Sequence, residues 1–203
     1  EQTGIKTEIV DPKKFNELLD RGSVHQGAAL EVKPLSWGNI SDTCGNNEKN
    51  SVVLLLDRIS DPHNVGAILR SAEVFGVQAV IGTQRHSAPE TGALAKSASG
   101  TLERQPYLRV NNLSRSIEEL KSLGFVVLGL DGLAEKTINE GINSFPIGPM
   151  AFILGAEGPG LRDKTKLYCD MLVKVPSFHG EGSLNVSNAA IIALYDIRHG
   201  KRL

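Results

Sequence analysis

Three short blocks of this chain carry residues suited to chemistry. The first runs Asp57-Arg58-Ile59-Ser60-Asp61-Pro62-His63-Asn64-Val65-Gly66-Ala67-Ile68-Leu69-Arg70-Ser71-Ala72. The second is Ile153-Leu154-Gly155-Ala156-Glu157-Gly158-Pro159-Gly160-Leu161-Arg162, and the third is Gly182-Ser183-Leu184-Asn185-Val186-Ser187-Asn188-Ala189-Ala190. Each sets Asn, Ser, Arg, Glu or Gly where a strand runs out and a helix begins, which is where α/β proteins place their binding sites. Three such blocks in one small chain imply a single composite site. The glycines of 155–160 permit positive φ and close approach of backbone to a ligand. The block is neither a Walker A loop nor a GxGxxG fingerprint. Taken alone it is equally a tight strand-to-helix turn. Arg70 offers a planar fork that fits a phosphate, or it is a helix arginine reaching into water. Ser183 and Asn185 are good helix N-caps. No GxSxG elbow surrounds Ser183, so a hydrolase nucleophile is not expected.

The elements that must position these residues follow from periodicity. Val52 to Leu56 is a continuous apolar run, as in a strand buried on both faces. Val65, Ile68, Leu69, Ala72 and Phe75 recur at helical spacing and predict a helix over 64–75. Further strands are expected at 79–81, 108–110, 125–130, 151–154 and 172–175. Further helices are expected at 91–99, 114–123 with Ser114 as N-cap, 163–169 and 187–198. Strands alternating with helices predict an α/β fold with a mainly parallel sheet covered on both faces. Near the start, residues 5–10 and 28–32 read as short strands, with a helix opening at Asp11-Pro12. The stretch 34–50 lacks apolar periodicity and reads as a linker.

Composition narrows the classes. The chain has 203 residues, 40% hydrophobic and 22% charged, with a net charge of −1, which is ordinary for one globular domain plus an appendage. No apolar run reaches the roughly 20 residues of a membrane helix. Cys44 and Cys169 have no CxxC partner, and the five histidines are scattered. Neither a disulfide framework nor a metal site is expected.

Together the three blocks resemble the SpoU (TrmH-like) branch of the SPOUT methyltransferases, over roughly Ser51 to the C-terminus. The order Asn64…Arg70, then Gly155-x-Glu157-Gly158-x-Gly160, then Ser183-Leu184-Asn185 carries the resemblance. A shorter stretch, Val24-His25-Gln26-Gly27-Ala28-Ala29-Leu30, is similar to the segment before the catalytic domain in bacterial large-subunit rRNA guanosine enzymes. The resemblance implies a C-terminal deep trefoil knot, which topology rules alone would reject. It implies that 1–40 is the tail of an L30e-like RNA-binding domain, 41–50 a linker and 51–203 the catalytic domain. It implies S-adenosylmethionine as cofactor, RNA as substrate, a homodimer and a cytoplasmic setting. Leu130, Leu154, Gly155, Glu157, Gly158, Val175, Ser183 and Leu184 would hold the cofactor, with Val175 and Leu184 against the adenine. Arg70, Asn64, Glu157, Ser183 and Asn185 would form the catalytic group, Arg70 gripping the RNA phosphate and Asn64 holding either Arg70 or the phosphate in position. A guanosine ribose of large-subunit rRNA is the expected target. A tRNA ribose, or non-catalytic RNA binding, is the alternative. A net charge of −1 means that positive charge for RNA must be local or come from another segment.

Overall fold

The computed structural model describes residues 6–19, 25–33, 35–178, 182 and 184–200. The chain divides into two compact units, Glu1–Pro34 and Leu35–Leu203. In the first, α1 (Pro12–Leu18) opens where the Asp11 carboxylate accepts from the Lys13 N–H at 2.8 Å, with Pro12 in the first turn. His25 stacks on Phe15 with ring centroids 4.4 Å apart. The strands expected at 5–10 and 28–32 do not form among the described residues. Neither segment has a neighbouring strand there to complete its backbone bonds.

The second unit contains, in chain order, α2 (Ile40–Cys44), β1 (Val52–Asp57), α3 (Pro62–Val74), β2 (Ala79–Thr83), α4 (Gly92–Ala98), β3 (Tyr107–Val110) and α5 (Leu113–Ser122). It continues with β4 (Val126–Leu130), β5 (Lys136–Thr137), α6 (Ile138–Asn143), β6 (Met150–Gly155), α7 (Asp163–Lys166), β7 (Met171–Lys174) and α8 (Val186–His199). The strands form one sheet in the order β3-β2-β1-β6-β4-β7-β5, and every pair is parallel. Helices cover both faces, as the alternation of strands and helices predicts.

The apolar runs explain this sandwich. All six residues of β1 are buried. Val52, Leu54 and Leu56 point into one core with Val65, Ile68 and Leu69 of α3 and Ala190, Ala193 and Leu194 of α8. Val53 and Leu55 point into the other with Leu113, Ile117 and Leu120 of α5, because side chains alternate along a strand. The stretch read as a linker supplies α2. An Asn39–Asp42 capping box starts it, and Ile40 and Cys44 are buried against the second core. Five residues are too few to display a helical period. The cap of α5 is Asn112, not Ser114: its side chain accepts from the Arg115 N–H at 3.3 Å, while Ser114 is buried within the helix.

The order of strands decides where a site can form. β2 and β3 spread to one side of β1, while β4 and β7 lie on the other, with β6 between β1 and β4. The carboxyl ends of β1 and β6 therefore sit at a topological switch point, where the connecting loops diverge and leave a crevice. Helix α8 starts at it, its N-cap Asn185 bonded to Asn64 in the first turn of α3. Its last turn is fastened by Arg198, which donates to the carbonyls of Phe75, Asn50 and Gly76 at 2.7 Å each.

Candidate functional site

Asp57 and Gly155 are register partners at the ends of β1 and β6. Asp57 is fully buried. Its carboxylate accepts from the Arg162 Nε at 2.7 Å and the Arg162 backbone N–H at 3.2 Å. That ion pair ties β1 to the far end of the glycine loop, since a buried carboxylate needs a charged or hydrogen-bonding partner. The loop folds back on itself through an Ala156–Gly160 bridge. Gly158 has φ +83° and Gly160 φ +66°, in the left-handed region that favours glycine. Gly155 is glycine for a different reason. A Cβ there would lie 2.3 Å from the Gly160 carbonyl carbon.

The three sequence blocks meet in one polar cluster. The Asn185 Nδ2 donates to the Glu157 Oε1 at 2.6 Å and the Asn64 Oδ1 at 2.9 Å, and the Asn64 Nδ2 donates to the same Glu157 oxygen at 3.2 Å. Asn185 also caps α8, its Oδ1 accepting from the Ser187 N–H at 2.9 Å and from the Ser187 Oγ. Asn64 stands in the first turn of α3, which Asp61 caps by accepting from the His63 and Asn64 N–H groups. Two amides thus aim at one exposed carboxylate oxygen. The arrangement leaves the other oxygen open as an acceptor.

Arg70 is exposed on α3 and makes no hydrogen bond to Asn64, Glu157 or Asn185. Its helical neighbour two turns back is His63, seven residues away, rather than Asn64. Of the two roles expected for Asn64, the contact with Arg70 is not formed, and the contact with a phosphate remains open to it. The Asn64 side chain is committed to Glu157 and Asn185. Ser183 lies outside the described residues.

Of the expected cofactor residues, Leu130, Leu154, Gly155, Glu157, Gly158 and Val175 lie at or just after the ends of β4, β6 and β7, three neighbouring strands, and Leu184 lies just before α8. Leu130 and Val175 are half-buried and pack on the core. The Leu154 side chain is 1% exposed, so only its backbone can face a ligand. Gly158 and Leu184 are exposed. Beside them, burial pushes the Asp131 carboxyl up, but the Lys166 ammonium and the Leu133 N–H outweigh it and hold it below its ordinary value. Burial pushes the Cys44 thiol up to about 11 and the Cys169 thiol up to about 12, so neither is a nucleophile near neutral pH. Among the described residues no three His, Cys, Asp or Glu side chains converge on a possible metal position. No described helix is long and apolar enough to cross a membrane.

Sequence reasoning missed the Asp57–Arg162 pair and the Ser187 contact. Arg162 lay within the second block, but nothing in the spacing joins it to Asp57. It also missed a cavity of about 360 Å³ on the Arg58 side of the loop, which none of the eight expected cofactor residues lines.

A parallel sheet with polar groups gathered at the carboxyl ends of its central strands defines a ligand-binding α/β protein. The chain belongs to the SpoU rRNA Methylase family, whose model matches residues 51–195. It is 36% identical over 197 residues to an uncharacterized tRNA/rRNA methyltransferase of Synechocystis sp., covering 96% of this chain and 50% of that one. It is 40% identical over 176 residues to the 23S rRNA (guanosine-2'-O-)-methyltransferase RlmB of Pseudomonas putida, covering 85% and 70%. The crystal structure of the SpoU methyltransferase AviRb from Streptomyces viridochromogenes, in complex with the cofactor AdoMet, superimposes with a TM-score of 0.65. It shares 27% identity, covering 74% of this chain and 58% of that one. The chain thus spans half the length of the Synechocystis relative and less than two thirds of the AviRb chain.

Proposed function

We propose that this chain transfers a methyl group from S-adenosylmethionine to a ribose 2′-hydroxyl of RNA, with a guanosine of large-subunit rRNA as the target. The observation that carries the reading is the cluster of Asn64, Glu157 and Asn185. It joins all three family-like blocks at the switch point of the sheet. The likeness to the Pseudomonas putida rRNA enzyme favours rRNA.

The residues present fit the cofactor. Gly155 and Gly158 offer backbone without side chains, and Val175 after β7 and Leu184 before α8 offer apolar groups, which suits a flat base with polar edges. Leu130 and Leu154 would add backbone groups, and Glu157 and Ser183 polar ones. When bound, the sulfonium supplies an already activated methyl group. The protein's part is to place the hydroxyl. Asn185 and Asn64 hold Glu157 as an acceptor, and Glu157 orients a ribose hydroxyl. Arg70, free of protein partners among the described residues, grips the neighbouring phosphate bidentately. Its charge favours the forming alkoxide. The guanidinium stays protonated, so a phosphate oxygen or water takes the proton. Proximity then supplies a large share of the rate.

The same reading places a trefoil knot around α8, an L30e-like domain tail in residues 1–40, a linker at 41–50, the catalytic domain in 51–203 and the protein in the cytoplasm. Resemblance to the family supports these. It also places a homodimer on α8, where Ile191 and Tyr195 are 40% and 57% exposed. Light scattering at micromolar concentration should give a dimer, and a monomer would remove that element.

The main test is Arg70→Ala. Turnover on in vitro-transcribed large-subunit rRNA should fall by about 10²–10³, with unchanged calorimetric affinity for S-adenosylhomocysteine. Arg70→Lys should rescue poorly, because an ammonium lacks the planar fork. Turnover of Arg70→Ala within a few-fold of the parent would reject the mechanism. Methylation of tRNA in place of rRNA would reassign the substrate.

A further inference from the structure

The cavity beyond the glycine loop has a chemistry of its own. It is lined by Arg58 and Ser60 after β1, Arg85 and His86 after β2, and Arg162 with the backbone of the 156–160 loop. Among the described residues no carboxylate lines it. The nearby buried Asp57 is committed to Arg162. Arg58 and Arg85 are exposed and have no hydrogen-bond or ion-pair partner among the described residues. Uncompensated like charges in one hollow, on a chain of net charge −1, create a local field that attracts an anion.

The hollow is built, not left to flexible side chains. Arg58 has φ +65° between the buried residues Asp57 and Ile59, a conformation in which glycine is the usual choice. The turn that carries Arg85 and His86 is held from beneath by Arg109. Its guanidinium donates to the carbonyls of Gln84 at 3.0 Å, Ser87 at 3.2 Å and Ala88, and to the Tyr107 hydroxyl at 2.9 Å. The Thr83 N–H donates to the Ser87 Oγ at 3.0 Å, and the Ala88 N–H donates to the Ile59 carbonyl at 3.2 Å, joining this turn to the one after β1. The 156–160 loop separates the hollow from the catalytic cluster. Ala156, Pro159 and Gly160 face the hollow, while Glu157 bonds to Asn64 and Asn185.

We propose that this hollow is a second phosphate site for the RNA backbone, holding a phosphate along the strand from the target ribose through Arg58 and Arg85. The proposal rests on the methyltransferase reading. Such contacts fix the register of the strand without reading its bases. They supply the local positive charge that the net composition lacks.

Salt dependence measures this directly. Each neutralised phosphate releases counterions, so losing one reduces the magnitude of the slope of log K against log salt by about 1. Filter binding of in vitro-transcribed large-subunit rRNA should be measured between about 50 and 200 mM salt. R58G suits the left-handed backbone and removes charge without strain; R85Q keeps a polar side chain. Each should weaken RNA binding and reduce the magnitude of the slope, and the double variant should reduce it by about 1 in total, because the two arginines serve one phosphate. Affinity for S-adenosylhomocysteine should stay at the parent value. A slope and RNA affinity equal to the parent's in both single variants would overturn the phosphate site. A parent that binds rRNA but neither binds S-adenosylhomocysteine nor methylates would instead overturn the methyltransferase reading.

Discussion

Asn185 does two jobs with one amide. Its oxygen caps α8 through the Ser187 N–H, and its nitrogen holds Glu157 and Asn64. The two jobs separate by substitution. Asn185→Ala should lose both, costing about 1 kcal/mol of stability for the cap along with methyl transfer. Asn185→Asp keeps an acceptor for the Ser187 N–H but sets a second carboxylate against Glu157. Like charges that close disfavour joint ionisation, so this variant should lose stability as pH rises through the carboxylate range. Thermal melts at acidic and neutral pH, beside a methylation assay, measure the split. Parental activity in Asn185→Asp would show that the amide donors play no part in the reaction.

At the scale of elements, the glycine loop sets the shape of the crevice. A side chain at Gly155 acts on the loop itself, because its Cβ would meet the Gly160 backbone at 2.3 Å. Gly155→Ala should therefore force the 155–160 turn apart, at about 1–3 kcal/mol, and lose S-adenosylhomocysteine binding. Gly158→Ala meets nothing within 4 Å but must hold φ +83°, a strain of about 1–2 kcal/mol. Calorimetry and thermal unfolding of both variants would separate the effects. Retained affinity in Gly155→Ala would show that the loop yields without consequence for the ligand.

Across the whole molecule, ionisable groups pull stability in opposite directions with pH. Burial pushes Asp131 up, yet Lys166 and the Leu133 N–H bring it below its ordinary value. Hydrogen bonds from Arg104 and then Thr101 hold Glu73 down. A lowered carboxyl contributes stability above its unfolded pKa of about 4, and loses it as pH falls through the folded value. Asp196 on α8 is the reverse, because burial raises it. Its ionised form costs stability at neutral pH, and that cost disappears below about pH 4. Asp196→Asn should raise the melting temperature near neutral pH, with the gain vanishing in acid. Melts over that range would show it. A gain that persists in acid would assign the effect to something other than charge.

Much of this protein was readable along the chain because its causes are local. Val52–Leu56 announces a doubly covered strand, and the period of Val65, Ile68, Leu69 and Ala72 announces α3. Of the expected site residues, Asn64, Glu157 and Asn185 lie at element ends, where backbone and side chains are free to meet a ligand, while Arg70 lies within α3. Short elements escaped, since α2 and β5 are too brief to express a period. So did the particular side-chain pairings within the expected composite site. Asn185 lies 121 residues from Asn64, and Arg162 lies 105 from Asp57. Propensity and spacing carry no information about such pairs. Only the strand order, with β6 placed between β1 and β4, brings them together. The same packing turns the scattered Arg58, Arg85 and Arg162 into one basic hollow, and it commits Asn64 to Glu157 rather than to Arg70.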